Sequence, residues 1–273
     1  MSTINRLFHH YLVYISSNAP CQRLLEKKVR FLQSLMGIGT GSEISSSGEV
    51  VLFQKLVHLH SVSKQPLCVF DVGANQGNFL KSLSDHLKGV PYHIHAFEPS
   101  KSTFDILTEN IHHLPDITLN NCGLGKEKSE LELFSDHQGS GLASLYKRRL
   151  EHLGIDLKYR EKVRIKTLSD YCGDAEVERI DLLKLDVEGH ELEVLQGGQS
   201  LFKERKVGMV SFEFGGCNID SRTYFQDFWY FFKENGMDNI FRLTPTGYLA
   251  PVKKYHEAYE QFRTTIFIAM QNT

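Results

Sequence analysis

The chain has 273 residues, of which 41% are hydrophobic and 23% are charged. This composition is typical of a globular protein with one large domain and an appendage, and it argues against disordered and fibrous proteins. The 31 Lys and Arg residues nearly balance the 33 Asp and Glu residues, giving a formal net charge of -2. The chain has no overall positive field that would attract nucleic acid, so we expect no nucleic acid as a partner.

The cysteines and the N-terminus both indicate a cytoplasmic protein. The five cysteines are scattered and lack the paired spacing that holds zinc or iron–sulfur clusters, so we predict no such metal site. The apolar stretch Tyr11–Ile15 is far shorter than the ~20 residues of a membrane span. No signal-peptide pattern stands out either. We therefore expect a cytoplasmic protein without a membrane span.

Residues 1–48 are predicted to form a helical appendage and a linker, and residues 49–273 the main domain. Apolar residues recur at helical spacing in the first 40 residues, and Gly37–Gly48 is rich in Gly and Ser. The appendage could serve as a lid, a dimer element or a brace. The sequence leaves these roles and the oligomeric state open. Val50–Val62 is predicted to be a further helix.

From Leu67 onward, short apolar runs alternate with amphipathic segments, which predicts an α/β fold with a mostly parallel sheet. Phe241–Leu243 and Tyr248–Val252 flank a turn, and Thr264–Met270 is predicted to be an antiparallel C-terminal strand. The other predicted strands are Leu67–Val72, Tyr92–Phe97, Ile117–Cys122, Leu131–Phe134, Ile180–Leu185 and Val207–Phe214.

The first chemical motif is Asp71–Gly77 (DVGANQG), between a predicted strand and a predicted helix. Gly73 and Gly77 lack side chains that would keep a ligand from the backbone, and the helix start offers unpaired amides. Alternatively, the motif binds no ligand, and its glycines are needed only for the packing of a tight turn. Glu98, 21 residues after Gly77 and at a strand end, stands where a ribose-binding acid is expected.

These features suit both NAD and S-adenosylmethionine, and two details favour the latter. Asn75 occupies the position of the middle glycine in a dinucleotide-binding turn. Asp71 is expected at the mouth of the turn, where its carboxylate would repel a pyrophosphate and attract a cationic group. The alternatives are an NAD-dependent oxidoreductase and a non-catalytic, cofactor-binding scaffold.

A third motif, Lys184–Glu191 (KLDVEGHE), follows the most apolar strand. Because ligands bind outside the carboxyl ends of parallel strands, Asp186 and Glu188 are expected to face the same crevice as Asp71 and Glu98. Glu191 and Glu193 are interpreted as a solvated helix face. For His190, a surface or capping role and a catalytic role are both open.

Together these segments resemble the FkbM family of methyltransferases, over roughly Leu67 to Phe214. The resemblance implies a Rossmann-like class I methyltransferase fold with seven strands, S-adenosylmethionine as methyl donor, and a hydroxyl of a sugar, polyketide or other small metabolite as acceptor. The matching segments are Asp71–Gly77, Phe97–Glu98–Pro99, Asn121–Gly125, Gly141–Leu145 and Lys184–Glu191.

The resemblance also implies roles for individual residues. The glycine turn, with Ala74 between its glycines, would bind the methionine end of the cofactor, whereas Glu98, followed by Pro99, would hold the ribose. Asn121 and Cys122 depart from the family's more usual small residues, which leaves the adenine contacts open. The predicted cofactor-binding residues are Asp71, Gly73, Ala74, Asn75, Gly77, Glu98, Pro99, Asn121, Cys122, Ser144 and Asp186.

Methyl transfer to a hydroxyl requires alignment of the two substrates and benefits from a general base. The candidates are Asp186, Glu188, His190 and Glu213, of which Asp186 is the first choice. Magnesium assistance is an alternative, because three of these residues carry the hard oxygen ligands that magnesium prefers. Their spacing matches no recognised metal motif, so no metal ligand is assigned.

Overall fold

A computed structural model describes residues 3–40 and 47–271 of the chain. The helices are α1 Thr3–Ser16, α2 Ala19–Leu35, α3 Val50–Ser63, α4 Asn78–His86, α5 Lys101–Ile111, α6 Leu168–Asp174, α7 Glu191–Gly197, α8 Gln199–Lys203, α9 Cys217–Ser221 and α10 Phe225–Glu234. The strands are β1 Leu67–Val72, β2 Tyr92–Phe97, β3 Ile117–Asn120, β4 Gly123–Gly125, β5 Ser129–Ser135, β6 Tyr159–Thr167, β7 Ile180–Leu185, β8 Val207–Phe214, β9 Asn239–Leu243, β10 Leu249–Pro251 and β11 Thr265–Met270.

Eight of the strands form the central sheet, in the order β10-β9-β11-β8-β7-β1-β2-β3. Strands β3, β2, β1, β7 and β8 are parallel, whereas β11, β9 and β10 pair antiparallel. The mostly parallel sheet and the antiparallel C-terminal strand are confirmed. The sheet has eight strands rather than seven, because the hairpin near the C-terminus adds β10 at one edge.

The core lies on both faces of this sheet. Successive side chains of a strand point to opposite faces, and in β1 Val69 packs on one face while Phe70 packs on the other. Both residues are fully buried. Such burial on both faces explains why β1 and β7 are almost continuously apolar in sequence. It also makes Asp71 in β1 and Lys184 in β7 conspicuous, because both are charged residues within buried strands.

A second, three-stranded sheet has the order β4-β6-β5. The sequence analysis did not predict β6. Its segment alternates exposed charged residues with the buried Val163 and Ile165, a pattern typical of a strand covered on one face. Ser144 extends the edge of this sheet, because its backbone pairs with Phe134 of β5.

The N-terminal appendage consists of α1 and α2, and the prediction of helix there is confirmed. Of the predicted linker Gly37–Gly48, residues 41–46 lie outside the described residues. The two ends that are described pack on the domain. At the first end, Gly39 N donates to Thr264 O at 2.7 Å, and at the second end a Cβ on Gly48 would overlap Thr244 O. The described helices include none that is both long and apolar enough to cross a membrane.

Candidate active site

The turn after β1 packs tightly against its neighbours. A Cβ on Gly73 would overlap the carbonyl oxygen of Asp186, and Gly73 has a left-handed φ of +87°. The backbone amides of Gly73 and Ala74 both donate to Phe97 O, at 3.0 and 2.9 Å. The ends of β1, β2 and β7 therefore meet at this turn, and only glycine fits at position 73.

Glu98, just after β2, is held by backbone amides on both of its carboxylate oxygens. Oε2 accepts from Asn75 N at 3.1 Å, and Oε1 accepts from Ser100 N at 3.0 Å. The residue is only 6% exposed. This burial raises the pKa of Glu98 to about 7. The carboxyl group is thus fixed in position and titrates close to neutral pH.

A two-part crevice lies outside the carboxyl ends of these strands, where ligands bind in open α/β sheets. The narrow part, of about 80 Å³, is lined by Gly73, Asn75, Glu98, Pro99, Leu133, Ser140, Gly141, Ala143, Asp186, Val187 and Glu188. The wide part, of about 470 Å³, is lined by Gly39, Thr40, Asn75, Gly141, Leu142, Asp186, Glu188, Glu213 and Thr264. Four residues border both parts: Asn75, Gly141, Asp186 and Glu188.

Three carboxylates gather where the two parts join. The side chain of Asp186 is 46% exposed, and its Oδ2 lies 3.4 Å from Lys184 Nζ. Glu188 forms an ion pair with Arg148. Glu213 Oε1 accepts a hydrogen bond from Thr264 Oγ1 at 3.3 Å. The region is therefore richer in negative than in positive groups.

Burial and mutual repulsion raise the pKa of two of these carboxyl groups. Burial, together with the charge of Asp186, raises the pKa of Glu188 to about 7, although Arg148 opposes the shift. Burial and the charges of Asp186 and Glu188 raise the pKa of Glu213 well above its ordinary value. Burial therefore favours the protonated form of Glu213, which is able to donate a hydrogen bond.

The sequence of this region matches a known family. The model of the methyltransferase FkbM domain matches residues 71–238, more than half of the chain, and the match covers the glycine turn, Glu98, Asp186 and Glu213. The chain belongs to the FkbM methyltransferase family. The resemblance inferred from the sequence motifs is thereby confirmed.

Three curated relatives of this FkbM-family protein carry methyltransferase names. Methyltransferase 1 of Beauveria bassiana is 32% identical over 47% of this chain and 57% of its own length. Methyltransferase sdnD of Sordaria araneosa is 34% identical over 51% of this chain and 64% of its own. The hexuronic acid methyltransferase AglP of Haloferax volcanii is 31% identical over 47% of this chain and 48% of its own. The chain thus spans roughly half to two thirds of these relatives.

A solved structure is also similar to this family member. The methyltransferase FkbM from Methylobacillus flagellatus KT superimposes with a TM-score of 0.47 at 15% identity, over 89% of this chain and 59% of the other.

The crevice brings together about half of the residues predicted for the site. Of the predicted cofactor-binding residues, Gly73, Asn75, Glu98, Pro99 and Asp186 line it, and of the other catalytic candidates, Glu188 and Glu213 do. Neither lining includes Asp71, Ala74, Gly77, Asn121, Cys122, Ser144 or His190.

The expectation that the Asp71 carboxylate stands at the mouth of the turn is wrong. Asp71 is fully buried, and its Oδ1 lies 3.2 Å from Lys184 Nζ. The two residues are direct partners in the register of β1 and β7. Asp71 therefore supports the turn from beneath, and its charge is compensated within the core.

Gly77 and Asn121 do not line the crevice, but they pack against the segments that do. A Cβ on Gly77 would lie 2.7 Å from Ile111 Cγ2, so this glycine permits α4 to pack against α5. Asn121 Nδ2 donates to the backbone oxygens of Glu98 and Pro99, at 3.0 and 3.1 Å. This side chain holds the Glu98–Pro99 bend in place.

Three more predicted cofactor contacts are turned away from the crevice. Ala74 and Cys122 are buried among apolar side chains of the core. Ser144 is fully buried, and its hydroxyl donates to Glu188 O at 2.7 Å. Ser144 thus fixes the backbone of Glu188, which has a left-handed φ of +52°.

The solvated helix face proposed around Glu191 is wrong for that residue. Glu191 is fully buried, and its Oε1 accepts from Val187 N and Gly189 N, at 3.1 and 3.2 Å. It therefore closes the loop that carries Glu188. His190 is likewise buried, with Nδ1 3.0 Å from the Tyr146 hydroxyl, and burial lowers its pKa to about 4. A packing role fits His190 better than catalysis.

The sequence analysis missed several lining residues. Gly141, Leu142 and Ala143 belong to a segment that was matched to the family, yet only Ser144 was chosen from it. Gly39 and Thr40 reach the crevice from the N-terminal appendage, a long-range contact without a local signal. Among the described residues, no group of three or more His, Cys, Asp and Glu side chains is arranged to hold a metal ion.

Proposed function

We propose that the protein transfers the methyl group of S-adenosylmethionine to a hydroxyl oxygen of a small, uncharged acceptor, such as a sugar or a polyketide-like metabolite. The observation that carries this proposal is the two-part crevice, with Glu98 in its narrow part and Glu213 in its wide part. Asp186 borders both. Such an arrangement suits a cofactor and an acceptor bound side by side at the strand ends.

The narrow part would hold the adenosyl end of the cofactor. Each oxygen of the Glu98 carboxylate already accepts one backbone hydrogen bond and retains capacity for a ribose hydroxyl. A Cβ on Gly141 would lie only 3.1 Å from Asn75 Nδ2, so the opposite wall is close. We therefore expect Ser140–Ala143 to shift outward when the cofactor binds.

The charges in the crevice support S-adenosylmethionine over NAD. When bound, S-adenosylmethionine supplies a methyl group on a positively charged sulfur. The carboxylates of Asp186 and Glu188 would attract such a cation and would repel a pyrophosphate. Asp71 takes no part in this discrimination, because its charge is compensated by Lys184.

The same charges support an uncharged acceptor. AglP, one of the curated relatives, is named for hexuronic acid, an acidic sugar. In this chain, an acidic acceptor in the wide part would bring its negative charge beside the carboxylates of Asp186 and Glu188. Arg148 does not offset this, because it is paired with Glu188 and lies 3.9 Å from Asp220. A neutral hydroxyl compound fits this environment better.

Two carboxyl groups would divide the proton chemistry. Asp186 is exposed to both parts of the crevice, so its carboxylate would accept the proton of the acceptor hydroxyl. Glu213, in the protonated form that its burial favours, would donate a hydrogen bond that orients the acceptor. The remaining walls would align the two reactants and exclude water.

The proposal is tested by measuring S-adenosylhomocysteine formation from S-adenosylmethionine with a panel of neutral sugars, polyols and phenolic or polyketide-like alcohols, with and without magnesium. We expect acceptor-dependent turnover that is lost in the Asp186→Asn variant. Tight cofactor binding without turnover on any acceptor class would favour the scaffold alternative. Turnover only with added magnesium would favour the metal-assisted alternative.

A further inference from the structure

The N-terminal helices leave an apolar surface uncovered. None of the 17 residues of α2 is buried. Leu24, Phe31 and Leu35 are 53%, 62% and 60% exposed, and Tyr14 near the end of α1 is 82% exposed. Single exposed apolar residues are ordinary, but a contiguous apolar face of this kind indicates a binding surface.

The sequence of α2 separates apolar from polar residues around the helix. At 100° per residue, the apolar face consists of Leu24, Leu25, Val29, Phe31, Leu32, Leu35 and Met36. The opposite face carries Arg23, Lys27 and Arg30. The helix also has its own N-cap, because Asn18 Oδ1 accepts from Cys21 N at 3.1 Å. These features are typical of a helix that lies on an interface.

The charge of this segment is opposite to that of the rest of the chain. Residues 1–40 contain five Lys and Arg residues and a single acidic residue, Glu26, for a net charge of +4. The whole chain carries -2, so residues 41–273 carry -6. A partner that suits α2 must therefore offer both apolar and negatively charged groups.

We propose that α1 and α2 dock the protein on the surface of an anionic lipid bilayer. In this arrangement α2 lies in the plane of the interface, with its leucines and Phe31 at the boundary of the acyl chains. Its basic residues contact the negatively charged headgroups. The acidic domain is repelled by the same headgroups and stays on the aqueous side.

Lys28 distinguishes this arrangement from pairing with a second copy of the chain. Its position on α2 lies within the apolar face, between Leu24 and Leu32. In a helix pair, its ammonium group would be buried without a partner, at a high cost. On a bilayer, its long aliphatic stem lets the ammonium group reach the headgroups. Repulsion between two segments of charge +4 further disfavours self-association.

The docking would bring the crevice to the membrane surface. The end of α2 is fastened to the domain, because Met36 O accepts from Arg242 Nε at 3.0 Å and Gln33 Nε2 donates to Gln261 Oε1 at 2.6 Å. The chain then continues directly into Gly39 and Thr40, which line the wide part of the crevice. The docking itself does not depend on the proposed methyl transfer.

The test is flotation of the full chain with phosphatidylcholine vesicles, with and without about 30% phosphatidylserine. We expect binding only to the anionic vesicles and a marked loss at high salt. Leu24→Asp combined with Leu35→Asp should reduce binding at least about tenfold, as should Lys27→Glu combined with Arg30→Glu.

Matched controls carry the same changes elsewhere on the surface. Val62→Asp, at an exposed apolar position of α3, and Lys158→Glu with Lys162→Glu should retain full binding. Circular dichroism and size-exclusion chromatography establish that each variant is folded and report its oligomeric state. The proposal is overturned if the unaltered chain does not bind anionic vesicles, or if the α2 variants bind them as well as the control variants do. It is also overturned if α2 instead holds together a dimer that does not bind vesicles.

Discussion

Lys184 Nζ lies 3.2 Å from Asp71 Oδ1 beneath the glycine turn, in an ion pair that is almost completely removed from solvent. Burial opposes the charge on Lys184, but the carboxylates of Asp71, Asp186 and Glu49 outweigh it and raise the pKa of Lys184. The lysine therefore stays protonated and joins β1 to β7 directly below the crevice. The turn that is proposed to bind the cofactor depends on this pair.

Replacement of Lys184 by Met should destabilise the protein strongly. Asp71 would remain buried without a cation, and loss of one partner of a buried pair costs about 3–5 kcal/mol. Asp71→Asn combined with Lys184→Met should recover much of this loss, because position 71 would no longer carry a buried charge. Urea unfolding of the single and the double variant measures these changes in the free energy of unfolding. Lys88→Met at the exposed Lys88–Asp85 pair is the control and should change the free energy of unfolding little.

Gly73→Ala should disrupt the turn more than Gly89→Ala. Both glycines have a left-handed φ, +87° and +81°, but only at Gly73 would the new Cβ overlap the backbone of Asp186. The conformation alone costs about 1–2 kcal/mol, and the overlap adds about 1–3 kcal/mol. Urea unfolding and cofactor titration of the two variants check this expectation. Equal destabilisation would show that the close packing at Gly73 is unimportant.

Glu98 should make cofactor affinity depend on pH. Burial raises its pKa to about 7, and only the ionised carboxylate accepts hydrogen bonds from both ribose hydroxyls. As pH falls below the pKa, Glu98 is protonated, so affinity should fall by about tenfold per pH unit. S-Adenosylhomocysteine is the better probe, because its sulfur is uncharged and responds less to the other carboxylates.

Two variants isolate the contribution of Glu98. Glu98→Gln should bind S-adenosylhomocysteine more weakly, by about 1–3 kcal/mol, and should lose the pH dependence between about pH 6 and 8. Glu132→Gln, on the exposed face of β5, should behave like the unaltered chain. The ribose assignment fails if Glu98→Gln keeps both the original affinity and the original pH dependence.

Asp186 and Glu213 should differ in their response to amide substitution. If Asp186 is the base, Asp186→Asn should lower kcat by at least about a hundredfold and change cofactor affinity much less. Glu213→Gln resembles the protonated acid and should retain most of kcat, whereas Glu213→Ala should raise KM for the acceptor. Steady-state kinetics with a responsive acceptor measure these effects. The reverse pattern would make Glu213 the base.

The parallel part of the fold was predictable because β1 and β7 are buried on both faces and stand out as apolar runs. The glycine turn between β1 and α4 was predictable for a similar reason, since its residues meet local backbone requirements. Strand β6 was missed because only Val163 and Ile165 represent its buried face among charged neighbours. The hairpin strands β9 and β10 were predictable, because two apolar runs flank the turn at residues 245–247.

The lining of the crevice was predictable where a side chain follows a parallel strand directly, as for Glu98 and Asp186. The error at Asp71 arose because a strand residue can face the core, and its compensation by Lys184 depends on the register of β1 and β7. Glu191 can be buried because two loop amides donate hydrogen bonds to its carboxylate, and these amides lie close to it only in the folded state. The contribution of Thr40 likewise depends on tertiary packing.

The most direct test of the account is calorimetric titration of the full chain with S-adenosylmethionine, S-adenosylhomocysteine and NAD, each with and without magnesium. The account predicts saturable, stoichiometric binding of both adenosyl ligands irrespective of magnesium, and no binding of NAD. The account is contradicted if NAD alone binds, or if the folded protein binds none of the three ligands.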